Sequence, residues 1–272
     1  MRIGIIGLGS IGTRHLNNLT EMGGHKLAVY DPVLTEHAFA TIESFWACEP
    51  EAVVICTPPE HHYNYAAQAI RRNIHVFIEK PIATAEGQAH MLVSLAKHHN
   101  VQLAVGYQLR FLLHKNYRQI SCGKDAYFTS TQDMSQWPSQ YQKDPLEEFS
   151  HEIDLAIHLY GVVDAVAMHQ IDSSCIIRLR HVGAVSCIHL DWGSTIFKRD
   201  LYVDGELSWQ FDKKENNFAY KQEIHSFIRA CEGKGFDYRL CGGAQAGHVV
   251  KIIEACRLSD LTCSVVRLGV SA

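Results

Sequence analysis

The sequence predicts an α/β unit built on a doubly wound parallel sheet, followed by an α+β unit dominated by antiparallel strands. Three observations carry that reading. Short apolar runs alternate with helical patterns over the first hundred residues. Those runs are nearly continuous in Ile, Val and Ala, as strands buried on both faces require. After about Tyr107 the pattern changes to partly alternating strands separated by short turns such as "HVG" and "DG".

"RIGII", "KLAVY", "AVVICT", "HVFIE" and "QLAVGY" read in order as strands of the first sheet. Helical patterns lie between them: Gly12, Leu16 and Leu19; then Tyr65, Ala69 and Ile70; then Met91, Leu92 and Leu95. The stretch between Asp31 and "AVVICT" is short, so one crossover helix is missing or reduced there. "DAYFTSTQ" opens the second unit as a strand, and a helix over 150–160, capped by Ser150, follows. "VVDAVAMHQ", "SSCIIRLR", "AVSCIHLDW", "TIFKRDLYV" and "ELSWQF" read as an antiparallel meander. Helical patterns near 219–231 and 243–258 close the chain. With no flexible linker in view, the boundary falls between 107 and 120, giving units of 1–112 and 113–272.

The chain of 272 residues is 47% hydrophobic and 20% charged, the composition of an ordinary soluble globular protein. A net charge of -4, with no block of like charge, gives no attraction to nucleic acid or anionic membrane. The nine cysteines, Cys48, Cys56, Cys122, Cys175, Cys187, Cys231, Cys241, Cys256 and Cys263, include no CxxC pair, which points to a reducing cytoplasm. No secretory leader and no bilayer-spanning stretch is expected.

"GLGSIG" follows a strand and opens a helix, the context a dinucleotide-binding glycine motif needs. Gly7 allows the tight turn, Gly9 admits a pyrophosphate close to the backbone, and Gly12 permits close packing of helix on strand. With Ser10 and Ile11 they form the phosphate-facing start of that helix. Asp31 ends the second strand about twenty residues on, where a carboxylate binds ribose hydroxyls and repels a 2′-phosphate. NAD is therefore favoured over NADP.

"CTPPEHHYNYAAQAIRRNIHVFIEKPIA" (56–83), "VGYQLRF" (105–111), "HEIDLAIH" and "HVVKIIEACRLSDLTCSVVRL" together resemble the glucose-fructose oxidoreductase/inositol dehydrogenase (Gfo/Idh/MocA) family. The resemblance implies a Rossmann domain followed by a domain with a large, open, mostly antiparallel sheet. It implies a nicotinamide cofactor and hydride transfer at a carbinol or carbonyl carbon, usually of a sugar or cyclitol. It places Lys80, Asp154 and His158 around the reacting carbon, Thr57 and Pro58 near the nicotinamide, and Glu79 beside the cofactor ribose. It also implies that one sheet face packs on another subunit, so a homodimer or homotetramer is expected.

The residues themselves leave alternatives. Asp154 and His158 stand four apart, on one helical face, where a carboxylate can orient an imidazole or raise its pKa. Such a pair is otherwise a structural one. Lys80, at a strand end before Pro81, is read as stabilising a developing alkoxide, or as a surface partner of Glu79. Tyr107 and Arg110 face the substrate or pack at the domain junction. His61 and His62 cap the following helix or face solvent, His62 at the family's motif position. Trp137, Trp192 and Trp209 are core residues or, for Trp192, a sugar platform; Lys198 and Arg199 meet a substrate phosphate or lie on a solvated face. No metal is expected, since the adjacent His pairs at 61–62 and 98–99 lack ligand spacing. The reading is an NAD-dependent dehydrogenase or ketoreductase acting on a sugar, cyclitol or nucleotide sugar. The alternatives are a non-catalytic dinucleotide-binding sensor or assembly subunit of the same fold, and reduction of an apolar planar substrate.

Overall fold

The computed structural model describes residues 1–33, 38–116, 125–135 and 144–269. In chain order it contains β1 (Arg2–Ile6), α1 (Ser10–Met22), β2 (Lys26–Tyr30), α2 (Ile42–Trp46), β3 (Ala52–Ile55), α3 (Pro59–Ile70), β4 (His75–Glu79), α4 (Glu86–His99), β5 (Leu103–Gly106) and α5 (Leu109–Asn116). Then follow β6 (Ala126–Thr131), α6 (Pro145–Glu148), α7 (Ser150–Tyr160), β7 (Val163–Ile171), β8 (Ser174–His181), β9 (Ala184–Asp191), β10 (Lys198–Val203) and β11 (Glu206–Gln210). The chain closes with α8 (Asn216–Cys231), β12 (Cys241–Gly242), α9 (Gly243–Thr262) and β13 (Val266–Arg267).

The first compact unit comprises residues 1–108 and 216–250. Its sheet runs β12-β5-β4-β3-β1-β2, parallel except for the two-residue β12. Ile3, Ile5, Val54, Phe77 and Ala104 turn one face toward Leu19 of α1 and toward Ile224, Phe227 and Ile228 of α8. The alternate residues Val53, Ile55, Val76 and Ile78 are buried just as completely on the other face. Burial on both sides explains the uninterrupted apolar runs. The abbreviated crossover is the single-turn α2, started by Thr41 and Ser44, whose side chains cap each other's backbone N–H.

A division at 112/113 differs from these units in two respects, the smaller being that residues 109–112 lie in the second unit. Residues 216–250 return to the first unit, because α8 covers its core face and β12 extends the edge at β5. The second unit is therefore 109–215 with 251–272. Its sheet runs β11-β10-β6-β9-β8-β7-β13, antiparallel throughout except for the β6–β9 pair. Asp204 and Gly205, both at positive φ, make the tight β10–β11 turn that a "DG" pair favours. The inner face carries Phe128, Ile177, Leu179, Ile188, Leu190 and Leu201, and α7 packs there against β6 and β9. The outer face is mixed: Ile176 and Tyr127 are exposed beside Arg178 and Arg180. Ser150 is not the cap of α7: it is the first helical residue, and its hydroxyl donates back to the Glu147 carbonyl.

Phe77 sits at the centre of the first core, 5.6 Å from the Phe227 ring and 5.4 Å from that of His15. Phe77→Ala should lower the unfolding free energy by about 3–5 kcal/mol in urea titration. A loss below about 1 kcal/mol would show that Phe77 does not hold this core together.

Candidate functional site

Parallel strands deliver their carboxyl ends to one edge. There β1 ends at the glycine loop, β2 at Asp31, β3 at Thr57, β4 at Glu79 and Lys80, and β5 at Tyr107. β1 lies between β2 and β3, so the strand order reverses between β1 and β3, beside Gly7 and Thr57. Gly7 has φ +95, and a Cβ on it would stand 2.9 Å from the Cys56 backbone. A Cβ on Gly12 would stand 1.9 Å from the Gly7 carbonyl oxygen. Both glycines are thus demanded by the protein's own packing. Gly9 is different: a Cβ there meets nothing within 4 Å, so the protein itself makes no use of the space. That opening faces the first turn of α1, whose N–H groups have no intrahelical acceptors. A diphosphate fits these donors and this cleared approach.

Asp31 is buried, and it accepts N–H bonds from Leu8 at 2.6 Å and Val33 at 2.8 Å. The carboxylate thereby ties the glycine loop to the end of β2. The Thr57 hydroxyl is buried and makes no hydrogen bond among the described residues. An orphaned hydroxyl at the switch point is a second sign that this edge is shaped for a ligand. Pro58 and Ser10 are exposed at the same edge, and Ile11 is half-buried.

Glu79 forms no ion pair with Lys80. Its carboxylate meets Nε2 of the fully buried His15 at 2.7 Å, so α1 is bonded to the end of β4. Lys80 follows, half-buried, before Pro81. His62 neither caps a helix nor faces solvent. It is buried inside α3, with Nδ1 2.7 Å from the Pro81 carbonyl and Nε2 2.8 Å from the Thr57 carbonyl. It clamps together the segments that follow β3 and β4; His61 is exposed.

In the second unit Asp154 and His158 do stack along α7, but Asp154 does not serve the imidazole. Both its oxygens accept from Arg110 of α5, Oδ2 from Nε at 2.7 Å and Oδ1 from Nη2 at 2.6 Å. Neither residue of this ion pair is exposed, so Arg110 is an enclosed structural cation rather than an open substrate-facing one. One helical turn along both helices, His158 Nε2 lies 2.7 Å from His114 Nε2. Burial, then the Arg110 charge, then His114, push the His158 pKa down to about 3. It is lowered rather than raised, and the imidazole is neutral throughout the physiological range.

His114 and His15 are the site residues sequence reasoning missed. His114 stands four positions after Arg110, the same interval that separates Asp154 from His158. Two such intervals on helices that pack together is the signal that finds it. Arg199 turns inward to a buried ion pair with Glu152 at 2.9 Å, and Lys198 pairs with Asp200 at 2.6 Å. Burial raises the Glu152 carboxyl pKa, and Arg199 opposes the rise. Neither cation on β10 is set out for a phosphate. Trp209 is buried; Trp192, half-buried, lines a cleft with Leu146 and Met168; Trp137 and Cys122 lie outside the described residues. Among the described residues no group of His, Cys, Asp or Glu has a metal-holding arrangement.

Residues 1–107 match the Gfo/Idh/MocA family model, described as an oxidoreductase family with an NAD-binding Rossmann fold. The match ends just past β5 and takes in less than half of the chain. UDP-N-acetylglucosamine 3-dehydrogenase of Acidithiobacillus ferrooxidans is 27% identical over 172 residues, 59% of this chain and 55% of that protein. Glucose-6-phosphate 3-dehydrogenase of Bacillus subtilis is 27% identical over 126 residues, 42% of this chain and 36% of that protein. The chain spans about half the length, or less, of these curated relatives. The fold is shared more widely. A solved myo-inositol dehydrogenase from Corynebacterium glutamicum superposes with a TM-score of 0.83 at 16% identity, covering 100% of this chain and 99% of that one. The solved Acidithiobacillus enzyme gives 0.81 at 18% identity, covering 96% and 98%.

Asp154→Asn strands the Arg110 charge in the interior and should cost about 3–5 kcal/mol of stability in denaturant titration. An Asn variant as stable as the parent would mean that the pair is hydrated. His158 carries a pH signature. Folded, it stays neutral down to about pH 3, while in the unfolded chain it takes up a proton near 6.5. The unfolded state binds the extra proton, so stability falls as pH drops from 6.5 toward 3. His158→Gln should flatten that slope in thermal melts over this range; an identical slope would assign the imidazole an ordinary pKa.

Proposed function

We propose that the chain is an NAD-dependent oxidoreductase that moves a hydride between the cofactor and a carbinol or carbonyl carbon of a sugar, cyclitol or nucleotide sugar. One observation supports this most: the cleared approach at Gly9, the orphaned Thr57 hydroxyl, Asp31, Glu79 and Lys80 share one edge of the family-matched sheet. The sugar class is supported by two relatives that are, by name, dehydrogenases of a nucleotide sugar and a sugar phosphate.

In this reading the glycine loop and the start of α1, with Ser10 and Ile11, hold the diphosphate, and Asp31 takes the ribose hydroxyls. Thr57, Pro58 and Glu79 border the nicotinamide half, and His62 keeps the segments carrying them at a fixed spacing. Bound there, NAD supplies the hydride acceptor. Lys80 sets its ammonium against the oxygen of the reacting carbon, where negative charge develops. His158, neutral, takes the hydroxyl proton. Asp154 contributes through Arg110, holding α7 against α5 so that His158 is fixed. Tyr107, buried at the end of β5, shapes the substrate side. We place the protein in the cytoplasm: its described cysteines are all free thiols, and no described helix is long and apolar enough to cross a membrane. The outer sheet face, with Ile176 and Tyr127 exposed, is the proposed contact of a homodimer or homotetramer.

The test is calorimetric titration with NAD and NADP, followed by a turnover screen over sugars, cyclitols and uridine-diphosphate sugars. Wild type should prefer NAD, and Asp31→Ala should erode that preference. Lys80→Ala and His158→Ala should bind NAD normally and lose about 10²–10⁴-fold in kcat. NAD binding with no turnover by wild type on any substrate would instead support the non-catalytic dinucleotide-binding reading.

A further inference from the structure

A glutamate at a strand end is a loose receptor, because its long side chain swings and a ligand must arrest that motion to be held. Glu79, the last residue of β4, is restrained from two neighbouring elements. His15 of α1 has no exposed side-chain surface, and its Nε2 lies 2.7 Å from Glu79 Oε1. The other ring nitrogen, Nδ1, is buried and makes no hydrogen bond among the described residues. A hydrogen on Nδ1 would be a buried donor with nothing to receive it. The ring therefore carries its hydrogen on Nε2 and donates it to the carboxylate. The rings of Phe77 and Tyr220 meet the imidazole T-shaped, at 5.4 and 5.6 Å, and fix its plane.

On the adjacent strand Gly106 pairs with Glu79. A Cβ on Gly106 would stand 2.8 Å from Glu79 Oε2 and 3.0 Å from Oε1, so the carboxylate lies against the bare Cα of the glycine. His15 engages Oε1, and no described residue donates to Oε2. The Glu79 side chain keeps 12% of its surface open at this strand end. An oxygen that can only accept selects a ligand bringing a donor, such as a hydroxyl.

We propose that His15 and Gly106 are positioning residues for Glu79: they hold its carboxylate in one placement, with Oε1 engaged and Oε2 left to accept from a hydroxyl of the nicotinamide-side ribose. The proposal rests on the dinucleotide reading above, in which Glu79 borders that half of NAD. His15 does not touch the ligand; it acts through Glu79. Gly106 acts by leaving out a side chain.

Calorimetric titration of the full chain with NAD, ADP-ribose and ADP tests this. ADP-ribose keeps the second ribose without the nicotinamide, and ADP lacks both. H15A should weaken NAD and ADP-ribose about tenfold and leave ADP unchanged. H15Q, whose amide nitrogen still donates, should recover most of that loss. G106A displaces only the end of a flexible side chain and should show the same selective loss. The H15A/E79A double variant should bind NAD no more weakly than E79A alone. Long-range proton–nitrogen spectra of the ligand-free chain, assigned with H15Q, should show His15 protonated at Nε2 and bare at Nδ1. Equal weakening of all three ligands in H15A would make His15 a structural prop of α1 and overturn the proposal, as would unchanged NAD affinity or a His15 protonated at Nδ1. The dinucleotide reading survives each of those results. Wild type that binds none of the three ligands overturns that reading as well. If H15A does not fold, G106A and the wild-type spectrum decide.

Discussion

A parallel sheet brings its strand ends to one edge, and the arrangement of the first unit follows from that constraint. Residues 7, 31, 57, 79 and 107 are far apart along the chain, yet each ends or follows a strand running the same way. The apolar strands between them are buried on both faces, which makes the edge rigid. Bonds then lock the edge itself: Asp31 to the Leu8 N–H, His15 to Glu79, and His62 to the carbonyls of Thr57 and Pro81. Each joins segments that follow or flank different strands. A cofactor meeting such an edge has little ordering left to impose.

The second unit relies on a different device. A guanidinium and a carboxylate with no exposure are bonded in two places, and their desolvation makes the pair a poor source of net stability. Its value is geometric. Arg110 and Asp154 admit one relative placement of α5 and α7, and one turn further on that placement brings two imidazoles into hydrogen-bond contact. The interior ion pair thus specifies a position rather than adding strength.

The strands and the glycine motif are legible in the sequence because their requirements are local: apolar continuity, a positive φ at Gly7, a clash at Gly12. The reduced crossover is legible from its length alone. The partners of Asp154 and His158 are not. Neighbours four apart on a helix point the same way, side by side, so both reach outward to a facing helix more readily than to each other. Which helix lies opposite is a tertiary fact, and Arg110 and His114 acquire their meaning only from it. His62 reads as a surface residue because it adjoins the polar Glu60 and His61, yet the helix turns its ring toward two carbonyls that sequence proximity does not reveal. The destination of residues 216–250 is equally silent, since a two-residue strand carries no pattern.

That returning segment has a consequence for synthesis. Ile224, Phe227, Ile228 and Leu240 cover the sheet face formed by Ile3, Val54 and Phe77, yet they emerge from the ribosome more than a hundred residues after β5. The amino-terminal sheet therefore cannot finish folding in order of translation. It must wait, with an apolar face uncovered, until the whole intervening body has been made, and exposed apolar surface of that kind is what makes an incomplete chain prone to aggregate.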